Sequence, residues 1–144
     1  MKLDLSGVKQ CKALQNQALF FLTNLRELKM NGCSFINISN GALLGLENLQ
    51  KLEMVNSNLR GLEVIDGLAQ YKSLKVLDVS QNKITTLSAF MKQVRRFSFT
   101  ALSYEGNPFA RSKGADDEIL EDQINSIQSI NGKSVSEERR LEIQ

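Results

Sequence analysis

Apolar residues recur along this chain as a pair with one variable position between them: Leu3/Leu5, Leu28/Met30, Leu52/Met54, Leu77/Val79 and Leu102/Tyr104. Successive pairs lie 25, 24, 25 and 25 residues apart. A spacing of two puts both members of a pair on one face of an extended segment and their neighbours on the other. The pattern therefore predicts five short strands at a nearly fixed interval. Between the pairs, apolar stretches at 43–49, 62–71 and 87–94 predict helical turns that pack behind the strands. The stretch 12–22, with Ala13, Leu14, Ala18, Phe21 and Leu22 near a 3.6-residue period, reads as a helix.

Written in full, the fourth copy is Leu74-x-x-Leu77-x-Val79-x-x-Asn82-x-Ile84-x-x-Leu87, which fits the leucine-rich repeat pattern at every fixed position. The copies that start at Leu25, Leu49 and Phe99 fit nearly as well, and the first copy is partial. The expected fold is an α/β solenoid: a leucine-rich repeat right-handed superhelix with a parallel concave β-sheet, a helical convex side and a C-terminal helical cap. Residues 1–109 would hold the five repeats and 110–144 the cap. At the ninth repeat position stand Cys33, Ser57, Asn82 and Asn107. An amide there can donate to and accept from backbone groups where the chain leaves the strand. The first strand, residues 2–6, is expected to present an unpaired edge.

In the cap, a polar loop at 110–115 leads into a helix whose first turn carries Asp116, Asp117 and Glu118, which suits the positive end of the helix dipole. Leu120, Ile124 and Ile127 are expected to form its buried stripe. Ile130-Asn131-Gly132 reads as a turn. Ser134 with Glu137 three residues on reads as a capping box that starts a last helix.

The strand register also defines which residues face outward. One row is Lys2, Glu27, Lys51, Val76 and Ala101, and the next is Asp4, Lys29, Glu53, Asp78 and Ser103. Opposite charges alternate through the first three repeats, so neighbours there can neutralise each other. The candidate protein-binding face comprises Lys29, Asn31, Lys51, Glu53, Val55, Val76, Asp78, Ser80, Ala101, Ser103 and Glu105. These positions lack aromatic stacking platforms, which argues against RNA as a direct ligand.

Composition narrows the function further. A chain of 144 residues suits one domain, its 42% hydrophobic content is ordinary, and no apolar run nears the roughly 20 residues of a membrane span, so no membrane association is expected. Met1-Lys2 leads straight into repeat positions, so neither a signal nor a transit peptide is expected. Cys11 and Cys33 are too few for disulfide-stapled caps, which points to a reducing compartment, cytosol or nucleus. The net charge of +2 hides an asymmetry, because residues 1–115 carry +7 and residues 116–144 carry −5. Histidine is absent, which removes Ser-His-Asp triads, Cys-His dyads and His-based metal sites together. No Gly-rich phosphate loop occurs, and Asp116, Asp117, Glu121 and Asp122 lack the spacing of a calcium loop. A binding protein without cofactor or metal is expected, not an enzyme.

Two stretches resemble an intracellular family. In residues 59–88, a Gly-Leu-Glu-Val segment (61–64) precedes Ser-Leu-Lys-Val-Leu-Asp-Val-Ser-Gln-Asn-Lys-Ile (73–84), which resembles the middle repeats of the acidic leucine-rich nuclear phosphoprotein (LANP) family. Residues 127–139, Ile-Gln-Ser-Ile-Asn-Gly-Lys-Ser-Val-Ser-Glu-Glu-Arg, resemble a cap shared more widely by the phosphatase-one regulatory subunit of this repeat class and the spliceosomal A-prime protein. The first resemblance implies a nuclear or nucleocytoplasmic adaptor that binds histones or regulates a Ser/Thr phosphatase. The second implies, as alternatives, a ribonucleoprotein subunit or a phosphatase-one regulator.

Overall fold

The computed structural model describes residues 1–7, 13–14, 19–35 and 37–143. Five parallel strands follow the apolar pairs: β1 (Lys2–Asp4), β3 (Glu27–Lys29), β5 (Lys51–Glu53), β6 (Val76–Asp78) and β7 (Ala101–Ser103). Their register aligns Leu3, Leu28, Leu52, Leu77 and Leu102 in one row, as the repeat requires. Leu28, Leu52, Leu77 and Leu102 are buried, whereas Leu3, on the end strand, is only partly so. The fold is a leucine-rich repeat solenoid whose apolar core lies between this sheet and the convex side.

The ninth-position side chains bind the repeats to one another. Asn107 Nδ2 donates to the carbonyls of Val79 and Tyr104 at 2.9 Å each, and Asn82 does the equivalent at Met54 and Val79. Ser57 Oγ donates to Met30 O at 2.6 Å, and Cys33 Sγ donates to Leu5 O at 3.3 Å. Each rung satisfies backbone groups that the strands leave over, which would cost about 1–3 kcal/mol apiece if buried without partners.

The convex side is less regular than the apolar stretches suggest. Residues 43–45 are turns, Glu63–Leu68 is a 3-10 helix, and Leu87–Val94 (α1) is an α-helix that starts at Thr86, whose Oγ1 accepts from Ala89 N. Gly67 inside the second stretch disfavours an α-helix there. Gly45, at φ +98°, lies where any Cβ would meet Phe20 atoms at 2.8 Å. Its N–H donates to the Tyr71 hydroxyl at 3.0 Å.

At the described residues 13–14 and 19–22 of the stretch 12–22, extended pairing and turns stand in place of the expected helix. Ala13–Leu14 (β2) runs parallel to Asn37–Ile38 (β4), and 19–22 are mostly turns, with Phe21 90% exposed. The repeat interval of 24 residues brings those two strands side by side, and a local helical period does not outweigh that pairing. Residues 12 and 15–18 of that stretch lie outside the described ones.

The cap also differs from expectation. Its first helix, α2 (Ala115–Gln123), stands where the acidic turn places it. Ile119 and Leu120 are buried on it, Ile127 is buried beyond its end, and Ile124 is half-buried. Ser129–Ile130 (β8) then joins the concave sheet parallel to β7, and Lys133–Ser134 (β9) folds back on it through Asn131-Gly132. Both turn residues have positive φ, +51° and +79°, the geometry of a tight hairpin turn in which Asn-Gly is favoured. Ser134 is therefore in a strand and does not cap a helix. The last helix, α3 (Glu137–Ile143), is capped by Ser136, whose Oγ accepts from Arg139 N at 3.1 Å.

Buried Gln123 joins cap to repeats. Its Oε1 accepts from Phe99 N at 2.8 Å, and its Nε2 donates to the carbonyls of Val94 and Phe97. Arg95 adds ion pairs to Glu118 at 3.1 Å and Asp122 at 3.7 Å, so part of the charge asymmetry is consumed between repeats and cap.

Candidate functional site

Strand pleating sends the residues flanking each buried leucine to the concave surface, and the pairing places them in the expected rows. Lys2, Glu27, Lys51, Val76 and Ala101 align, and Ser129 of the cap continues the row. Asp4, Lys29, Glu53, Asp78 and Ser103 align beside them.

The first half of this face is closed upon itself. Lys2 pairs with Glu27 at 3.4 Å, and Glu53 receives both Lys29 at 3.8 Å and Lys51 at 3.4 Å. Asn31 Nδ2 donates to Glu53 at 3.2 Å while its Oδ1 accepts from Val55 N at 2.8 Å. Such exposed pairs stabilise by only about 0–1 kcal/mol each. Their larger effect is to leave Lys29, Asn31, Lys51 and Glu53 little free charge or hydrogen-bonding capacity. Asp4 accepts from the hydroxyl and N–H of Ser6, which holds its carboxyl below the usual range, with Lys29 adding a smaller contribution.

The second half is different. Val76, Ala101 and Ser103 present small, half-buried side chains. Asp78 accepts from Ser80 N at 3.0 Å, and among the described residues neither Asp78 nor Glu105 has a cation in salt-bridge range. Glu105 lines a cleft of about 450 Å³ between the last repeat and the cap, with Leu120, Ile130, Val135, Lys133 and Arg139. Behind it, Tyr104 is buried and its hydroxyl donates to Asp116 Oδ1. Burial, first, and the Asp116 carboxylate, second, push the Tyr104 phenol well above its ordinary range.

The structure brings Val76, Asp78, Ser80, Ala101, Ser103 and Glu105 together on the second half of the face, and places Lys29, Asn31, Lys51, Glu53 and Val55 on the first. Sequence reasoning missed the cap's share of the surface, Ser129 and Asn131, whose Oδ1 accepts from Tyr104 N at 2.8 Å as Asn31 does from Val55 N. The signal was present, since Ile127-x-x-Ile130 repeats the spacing of Leu25-x-x-Leu28, and Asn-Gly marks the hairpin.

Comparison with known proteins agrees with this architecture. The Leucine Rich Repeat family pattern matches residues 73–92. A chain from the crystal structure of the Drosophila melanogaster SNF/U2A' complex superposes with a TM-score of 0.80 at 16% identity, over 99% of this chain and 79% of that one. The Chaetomium Mex67:Mtr2 subunits give a TM-score of 0.63 at 20% identity, over 99% of this chain and 88% of that one. In sequence, the human volume-regulated anion channel subunit LRRC8D is 33% identical over 76 residues. That match covers 53% of this chain and 9% of the human protein, so the chain spans only a small part of that relative. The identities to the solved structures are low enough that they establish the fold alone. No helix among the described residues is long and apolar enough to cross a membrane.

Proposed function

We propose that this leucine-rich repeat chain is a non-enzymatic adaptor that holds a protein partner on the second half of its concave face. The observation that carries this reading is the contrast between the two halves. The first consumes its charges internally, whereas Asp78 and Glu105 have no cation partner among the described residues and stand beside the small apolar surface of Val76 and Ala101. A partner can bury an apolar anchor there and place a cation against each carboxylate.

The finer reading is an adaptor of the LANP type, in nucleus or cytoplasm, with a histone or a Ser/Thr phosphatase as partner. It rests on the resemblance of residues 59–88, and the free carboxylates suit a basic partner. A second reading, a protein subunit of a ribonucleoprotein, is favoured by the cap resemblance together with the superposition on a chain of the SNF/U2A' complex over nearly the whole length.

The test is capture from nuclear extract by the wild type, Asp78→Lys and Glu105→Lys, with melting followed in parallel. A partner retained by the wild type and lost by both variants, at unchanged melting temperature, is the expected result. A partner retained equally by all three contradicts the assignment of this face.

A further inference from the structure

The edge on which the chain enters the strands carries a row of its own. The residue before each strand donates its N–H to the equivalent carbonyl one repeat earlier: Gln50 to Arg26 at 2.7 Å, Lys75 to Gln50 at 2.9 Å, Thr100 to Lys75 at 2.8 Å and Gln128 to Thr100 at 2.8 Å. This backbone ladder sets five polar residues side by side, about 4.8 Å apart, and none of them is acidic.

Two clefts open along the edge and meet at Lys75. One, of about 460 Å³, has Gln50 and Ser73 in its wall together with Glu27, Lys51 and Val76 of the concave row; the other, of about 130 Å³, lies among Lys72, Arg96, Phe97 and Ser98. The nearby carboxylates are already engaged, Glu27 by Lys2, Glu53 by Lys51 and Asp66 by Arg96. Among the described residues, Arg26, Lys72 and Lys75 have no carboxylate within the 4.0 Å of a salt bridge. Lys72 also sits at φ +57°, where Asn or Gly would be easier on the backbone.

We propose that this strand-entry edge binds the phosphodiester backbone of single-stranded nucleic acid. Two clefts joined at a shared lysine suit successive phosphates on one chain better than a single phosphate, and they are too small to admit a duplex. Neutral donors on the same edge, Gln50, Ser73 and Ser98, are the side chains that supplement cations at phosphate oxygens. Phe97 is buried against Phe99, with ring centroids 5.3 Å apart, so no exposed ring on this edge reads bases by stacking. Binding is therefore independent of sequence and strongly dependent on salt. The expectation that RNA is not a direct ligand considered the concave rows, which this edge meets only where Glu27, Lys51 and Val76 line the larger cleft.

The test is fluorescence anisotropy of a labelled oligouridylate with the isolated chain at rising KCl. The variant Arg26→Gln/Lys72→Asn/Lys75→Gln removes the three unpaired cations, and Asn at position 72 suits the backbone, so melting should hold. Each cation that neutralises a phosphate contributes about 0.7 to the log–log salt slope. The triple variant should therefore bind with a slope shallower by about 2, whereas Lys113→Gln, on the loop before the cap, should leave the slope near that of the wild type. An absence of wild-type binding at low salt, or an unchanged slope in the triple variant, overturns the proposal. Preferential binding of a phosphoserine peptide or of phosphoinositide vesicles through the same three residues overturns it too.

Discussion

Asn82 reaches back into the preceding repeat to hold Met54. Its Nδ2 donates to the Met54 carbonyl at 2.7 Å, while its Oδ1 accepts from the N–H groups of Ser57 and Leu59 at 3.0 Å each. One side chain thus satisfies donors and an acceptor on both sides of the exit turn of the third repeat.

Replacing Asn82 by Ala should accordingly lower stability by about 1–3 kcal/mol in urea unfolding, because several buried backbone groups lose partners together. Asn82→Ser should lose less, since Ser57 already serves the same position one repeat earlier with a single hydroxyl. An unchanged unfolding midpoint in the alanine variant would contradict the ladder.

Ser136 and Ser134 separate the observed cap from the one the sequence suggests. Ser136→Ala should destabilise α3 by about 0.5–2 kcal/mol, read as faster amide exchange over 139–143, whereas Ser134→Ala should leave exchange there unchanged. The opposite pattern would restore Ser134 as the helix cap.

Tyr104 gives the protein an alkaline limit. Its phenol titrates above the ordinary value near 10 while buried and bonded to Asp116, so its contribution to stability is fully present below about pH 10 and lost as pH rises beyond it. Tyrosinate absorbance should therefore rise partly in step with loss of secondary structure. Tyr104→Phe should remove that coupled phase. If all tyrosinate absorbance appears before unfolding, the buried hydrogen bond is absent.

The strand register was legible residue by residue, down to the pairing of Lys51 with Val76 and Val76 with Ala101, because a strict two-residue pair at a 24- to 25-residue interval admits one alignment. The ninth-position ladder followed from the same frame. The convex side was legible only in part: helical turns stand at 62–71 and 87–94 as expected, but whether each is a 3-10 or an α-helix, and that 43–49 holds turns alone, depends on packing that an apolar stretch does not specify. The sixth parallel strand, Ser129–Ile130, was missed despite its Ile127-x-x-Ile130 spacing, because it stands 28 residues beyond its partner in place of 24 or 25, within a segment that reads first as a helical cap. The candidate face was legible as a set of positions. That Glu53 gathers Lys29, Lys51 and Asn31 depends on side-chain reach, which a linear pattern does not contain.

The most direct test of the adaptor reading is hydrogen–deuterium exchange of the chain with its captured partner bound, compared with the chain alone. The account predicts protection gained over 76–80 and 101–105 and at the cap hairpin 129–134, with little change at 27–31. Protection confined to the convex helices, or spread evenly over both halves of the concave sheet, would contradict it.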